Sequence, residues 1–245
     1  MKTISYSLMF FFVATNTQAQ QTFHPAVKIE FEKVVYVRQQ MKELASDWFD
    51  IIKDRLPEKA VSYYEFIGDT SHSIYRQTKE AVIPQNMWYQ GTGEGNVVYN
   101  DYTLGQTITK KPVAEETFLI NDSLTKIRWK LTNDTRTIAG YDCKKAVGFI
   151  DDTLAVFAFY TDEILITGGP ESIHGLPGMV LGLGVPRLHA SWFATKVETN
   201  GVPLAGIKPE TKGRKSTRAA MTATIDNILK NWGKWGSSMR LNYLL

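Results

Sequence analysis

From Asn96 onward the chain is cut into short apolar or alternating runs, each closed by turn residues, and this punctuation constrains the fold most. Runs at 97–99, 114–120, 126–133, 141–150 and 154–161 are separated by Asn100-Asp101, Asn121-Asp122, Asn133-Asp134, Gly140 and Asp151-Asp152. Two further runs, 179–185 and 189–198, are followed by Thr199-Asn200-Gly201, where Asn-Gly favours a type I′ reversal. Asp151-Asp152 between two runs is a hairpin signal of the same kind. Such spacing predicts an antiparallel sheet or partial barrel rather than alternating β–α units.

Upstream of this region, Val27, Ile29, Phe31, Val35 and Val37 share one parity and predict a strand, in which Lys33 is the exception. Met41, Leu44, Trp48, Ile51 and Ile52 then recur at helical spacing, and Pro57 stops the pattern. The expectation is one amphipathic helix over about residues 39–55 that buries Trp48, Ile51 and Ile52 against the sheet. Runs 61–67 and 73–79 predict two strands joined by Gly68-Asp69-Thr70-Ser71, while Pro84 and Gly91-Thr-Gly-Glu-Gly95 mark loops. Residues 208–215 form a polar, basic connector. Met221, Ile225, Ile228, Leu229 and Trp232 then fit a second amphipathic helix that starts near Thr217 and ends near Gly233. The predicted class is α+β: a mainly antiparallel curved β-sheet or half-barrel, with an amphipathic helix on the N-terminal side and a C-terminal helix.

One stretch stands apart. Gly168-Gly169-Pro170-Glu171-Ser172-Ile173-His174-Gly175-Leu176-Pro177-Gly178 brackets a polar loop between two turn signals, and Met179-Val180-Leu181-Gly182-Leu183-Gly184-Val185 follows. Leu176-Pro177-Gly178-Met179 reads as a type II turn, with proline setting φ and glycine supplying φ > 0. In the strand that follows, Met179, Leu181, Leu183 and Val185 share one face and Val180, Gly182 and Gly184 the other. A face that bare marks either a tight approach of another backbone or a ligand groove. His174, Gly175, Leu176, Pro177, Gly178, Gly182 and Gly184 are therefore the candidate binding residues.

The segments Asp134-Thr-Arg-Thr-Ile-Ala-Gly-Tyr-Asp-Cys-Lys-Lys-Ala146, Phe159-Tyr-Thr-Asp-Glu-Ile164, Gly169-Pro170 and Gly175-Leu-Pro-Gly178 resemble the GLPGLI family of exported Bacteroidota proteins. Met179-Val180 stands where that family usually carries Leu-Ile, a change that keeps the strand apolar. Weaker similarity reaches back to about Val27. The family has no established biochemical activity, so the resemblance implies an exported location and a shared architecture but no chemistry.

The N-terminus agrees with export. Lys2, an apolar core from Ile4 to Ala14 and Thr17-Gln18-Ala19 read as a signal peptide over 1–19, cleaved before Gln20. No cysteine stands at that junction, which argues against a lipoprotein anchor, and no later run approaches the ~20 apolar residues of a membrane helix. The expected location is the periplasm, the cell surface or the medium. The remainder, residues 20–245, is a single domain in which 207–245 holds the basic connector and C-terminal helix. Removing Lys2 lowers the formal charge from +3 to +2, a balance that does not point to nucleic acid. The one cysteine, Cys143, has no intrachain disulfide partner, so packing must supply stability.

Candidate chemistry is sparse. A nucleophile set could be drawn from Cys143, His174 or His189, and Asp142 or Asp162, but Cys143 shares its strand face with Tyr141, Lys145, Val147 and Phe149, a mostly apolar row that suits a core thiol. A transition-metal site could use His174, His189, Met179 and Cys143, the sulfur ligands suiting Cu(I) and imidazole with Glu171 or Asp162 suiting Zn(II). No HExxH or CxxC spacing accompanies them. Asp151-Asp152, Asp162-Glu163 and Glu115-Glu116 sit at turns or strand ends as solvated pairs, and the glycine clusters lack a phosphate cradle. Trp232 and Trp235 with Lys230, Lys234 and Arg240 form either an ordered cap or an exposed contact. The reading that results is a non-enzymatic binding protein for a small ligand or an envelope protein, accessory to outer-membrane transport or assembly; the alternatives are metal binding and cysteine-dependent hydrolysis.

Overall fold

A computed structural model describes residues 24–44, 48–83, 91–113 and 115–245. The expected signal peptide and Pro84 lie outside the described residues. Strands β1 (Ala26–Val35), β2 (Ala60–Asp69), β3 (His72–Lys79), β4 (Val97–Asp101), β5 (Gln106–Val113) and β6 (Glu116–Ser123) come first. They are followed by β7 (Lys130–Ile138), β8 (Tyr141–Ile150), β9 (Leu154–Thr161), β10 (Met179–Val185), β11 (Ala190–Glu198) and β12 (Arg214–Ser216). All twelve join one open sheet in the order β12-β6-β5-β4-β3-β2-β1-β11-β10-β9-β8-β7. Every pairing is antiparallel except β12 with β6. The protein is thus α+β and mainly antiparallel.

Local chemistry explains the ladder. Asp151 and Asp152 both take positive φ (50° and 51°), the geometry of a type I′ turn that matches the twist of β8 and β9. Ala139 and Gly140 do the same between β7 and β8. β1 is the hub, because long-range pairing to β11 joins the two runs of strands into one sheet. Its inward row Val27, Ile29, Phe31 and Val35 is buried, and so is Lys33.

The helices differ from expectation. In place of one helix over 39–55, α1 (Val37–Leu44) and α2 (Phe49–Ile52) are described as separate elements. Trp48 is 42% and Ile51 79% exposed, so neither is buried against the sheet. Instead Val37 and Met41 of α1 pack with Leu56 and Ala60, and Trp48 stacks on Trp235 at 5.9 Å. The apolar stripe at helical spacing is shared between a small satellite core and an aromatic stack. At the other end α3 (Arg218–Leu229) begins where Thr217 Oγ1 accepts the Ala220 N–H, as its N-cap position requires. A further helix, α4 (Gly233–Asn242), occupies what the sequence left as a tail. Among the described residues no helix is long and apolar enough to cross a membrane.

The start of β10 also departs from the reading above. Gly178 N–H bonds to Leu176 O at 2.8 Å, a three-residue turn centred on Pro177 rather than a type II turn. Gly178 has φ +151°, and a Cβ there would strike the Thr161 carbonyl of β9, so close backbone approach is what demands glycine. A bulge between Val180 and Gly182 breaks the alternation. Val180 and Leu183 therefore pair with the inward residues Tyr160 and Ala158, while Gly182 pairs with Phe159.

Candidate functional site

Charged and polar side chains collect on the inward face of β1 to β5. Lys33 projects from β1 where the row would call for an apolar residue. Its Nζ donates to Tyr64 Oη (3.0 Å), to the Thr92 carbonyl and to Glu94 Oε2 (3.1 Å), and it lies 5.0 Å from the centre of the Tyr64 ring. Burial drives its pKa down, and Glu94 and Glu171 push back. Tyr64 stacks flat on Tyr75 at 5.0 Å. Burial, with Glu171 nearby, holds the Tyr75 hydroxyl well above its ordinary pKa.

Glu171 closes this network from the loop that precedes β10. It is fully buried at φ +55°, a conformation that costs a non-glycine residue. Oε2 accepts from Asn96 Nδ2 at 2.9 Å, while Oε1 has no partner among the described residues and faces Gly93, where a Cβ would collide with it. Desolvation raises the Glu171 pKa, and Lys33 and Lys111 oppose that rise.

Lys111, on β5, links this interior to open space. Its Nζ donates to the carbonyl oxygens of Tyr243 (3.0 Å) and Leu245, and burial lowers its pKa to about 8. It lines a cleft of about 640 Å³. The sheet side of that cleft sets apolar Val98, Ile120 and Ile150 beside Thr109, Lys111 and Asp122, and α3 covers it through Ala219, Met221 and Thr222. Residues 243–245 form the remaining wall. A cleft of this size and mixed lining falls in the range of small-molecule sites. Lys126, Arg218, Asp122, Asp151 and Asp226 line it as well.

The residues expected from sequence are not at this cleft. Leu176 is buried in the main core, Gly178 abuts β9, and a Cβ on Gly182 would meet Ile138 Cδ1 and Phe193 Cε1 at 2.9 Å. Gly184 faces open space, and Gly175 N–H bonds to Thr167 Oγ1. Pro177 is exposed, and none of the seven expected binding residues lines the cleft; Ser172 is the nearest lining residue from their loop. The bare side of β10 at Gly182 is a packing face, filled by β7 and β11.

The expected metal residues His174, His189, Met179 and Cys143 sit in different settings. Among the described residues no three of His, Cys, Asp and Glu gather as a metal would need. Met179 is buried in β10, and His189 sits at the β10–β11 corner with Nε2 3.0 Å from Glu43. The His174 ring lies 6.3 Å from that of Tyr102, and burial lowers its pKa. Cys143 is fully buried, its Sγ contacts the Tyr141 carbonyl at 3.6 Å, and burial pushes the thiol up to about 11. A thiol held that far from ionisation is a poor nucleophile. Lys33, Lys111, Glu94 and Asn96 were missed from sequence; the only signal was Lys33 breaking an apolar row.

Residues 96–202 match the family model described as N-glycanase peptide, N-terminal domain. In fold the chain is similar to PNGF-II in two crystal forms. One shows 15% identity over 79% of this chain at a TM-score of 0.51, the other 14% over 82% at 0.53. The chain spans 31% and 33% of those PNGF-II chains. An uncharacterised conserved protein from Thermus thermophilus aligns over 80% of this chain and 91% of its own, at 8% identity and a TM-score of 0.39. No curated protein matches in sequence. At these identities the likeness to PNGF-II is one of fold.

Proposed function

We propose that this chain is an exported, non-enzymatic ligand-binding protein of the GLPGLI kind, and that the cleft beneath α3 holds the ligand. The observation that carries this reading is the cleft itself: about 640 Å³, with apolar Val98, Ile120 and Ile150 and the buried Lys111 amine in its lining. The sheet acts as a half-barrel. Val98 of β4 and Ile150 of β8 lie far apart in strand order yet line the same space. Export rests on the N-terminal pattern Lys2, Ile4–Ala14 and Ala19. An accessory place beside an outer-membrane transport or assembly system is the corresponding cellular role.

A non-catalytic role agrees with the chemistry present. Asp122 accepts the Arg218 and Ser123 backbone N–H groups at 3.0 and 2.8 Å, and Asp226 pairs with Arg240 at 2.7 Å. Two of the three cleft carboxylates are thereby committed to holding structure, and the third, Asp151, lies in the exposed β8–β9 turn. The matching family is described as the N-terminal domain of an N-glycanase peptide, so glycan-bearing peptides are the first ligands to test.

The test is binding of released glycans and glycopeptides to the full chain and to Thr222→Trp, which places an indole in the cleft. Retained folding with lost binding is the expected result. Unchanged binding in Thr222→Trp would move the site elsewhere.

A further inference from the structure

The polar groups of the cleft are unevenly committed. Its acceptors Asp122 and Asp226 are engaged as described above and Lys111 already donates to two carbonyls, while the cationic heads of Lys126 and Arg218 are scarcely engaged. Lys126 makes no hydrogen bond or ion pair among the described residues. The Arg218 guanidinium makes one 3.4 Å bond, to the Ser123 carbonyl, and no ion pair there. A guanidinium carries five N–H donors in a planar fork that suits a carboxylate. Asp226 is paired with Arg240, so Lys111, Lys126 and Arg218 face the two remaining carboxylates Asp122 and Asp151 and leave an excess of one positive charge in the cleft.

Hydroxyls are available in the same way. The side chains of Thr109, Thr125, Ser172 and Thr222 line the cleft and make no side-chain hydrogen bond among the described residues. Next to them the apolar Val98, Ile120 and Ile150 can take the flat, C–H-rich side of a ring.

We propose that the cleft ligand is a hydroxylated carboxylate of the acidic-sugar class, its carboxylate held by Arg218 and Lys126 and its hydroxyls by the threonine and serine side chains. This rests on the cleft being the binding site. Lys111 then serves from the inner end as a hydrogen-bond donor to a ring or hydroxyl oxygen. The carboxylate anchors are at the outer end, where the charged head can shed water gradually.

The experiment is titration calorimetry on the full chain with three probes: a glucuronate-containing disaccharide, its neutral glucose counterpart and hexanoate. The acidic disaccharide is expected to bind at least about tenfold more tightly than either of the others. In Lys126→Gln/Arg218→Gln that preference should shrink to within about twofold, whereas Lys130→Gln, off the cleft, leaves it intact. Added salt should weaken the acidic probe selectively. Equal binding of acidic and neutral disaccharides, hexanoate binding as well as glucuronate, a preference that survives the double variant, or no binding at millimolar concentration each overturns the proposal. If the neutral disaccharide binds and Thr222→Trp abolishes it, the cleft stands as the site and only the acidic assignment falls. If Thr222→Trp leaves the acidic probe's affinity unchanged, both fall.

Discussion

The inward face of β8 to β11 and that of β1 to β5 belong to one sheet but are built on opposite rules. On the first side Ala146, Val156, Ala158, Leu183 and Val185 pack together with few polar interruptions. On the second, Lys33, Asn100, Thr107, Thr109 and Lys111 are buried among Phe31, Tyr64 and Tyr75, and Glu171 is lowered onto them from a loop. The apolar side shows that ordinary packing suffices to close this sheet. Buried charge on the other side is therefore a weak stabiliser at best, since desolvation offsets most of its attraction. What it supplies is fixed positions: Lys111 along the cleft, Asn96 and Glu94 in the 91–96 loop, and Glu171 behind them.

The largest expected effect breaks the polar side from within. Glu171→Leu leaves Lys33 and Lys111 with less opposing charge and should destabilise the fold by about 4 kcal/mol in urea unfolding. Lys33→Met/Glu171→Leu should recover much of that loss; a double variant as unstable as the single would mean that the network does stabilise the fold. On the apolar side Leu183→Ala should cost about 3 kcal/mol by cavity formation, with no change in the pH dependence of stability.

A third measurement separates the sides by titration. The Lys111 pKa falls from 10.5 to about 8 on folding, so between those values the unfolded chain binds more protons than the native one. Stability should rise with pH across that window, by at most about 3 kcal/mol from this group, and Lys33 adds in the same direction. Lys111→Met should flatten the rise; an unchanged slope would sink the assignment. The smallest effect is at Cys143, where Cys143→Ala should cost about 1 kcal/mol and the native thiol should react with iodoacetamide only as fast as the protein opens. Rapid alkylation would show the β7–β8 face to be looser than its packing implies.

Legibility followed the same division. Strands β8, β9 and β10 begin and end where turn residues and apolar alternation place them, because both signals act locally. β5 was invisible: Gln106-Thr-Ile-Thr-Lys-Lys-Pro-Val113 is largely polar, and Pro112 argues against a strand interior. That strand carries Lys111, so the cleft went unseen with it. Glu171 read only as part of a polar loop between two turn signals and as a partner for imidazole at a Zn(II) site. Nothing near it in sequence shows that Asn96, 75 positions away, would enclose it.

By itself the sequence determined the antiparallel character, the hairpins of the apolar half and the start of α3 near Thr217, all of which depend on neighbours a few residues apart. Tertiary structure alone decided that Lys33, Glu94, Lys111 and Glu171 would share one interior, and that α3 and residues 243–245 would roof a cleft beside it. The physical reason is that burial of a charge depends on what covers it, and here the cover comes from loops and helices far along the chain.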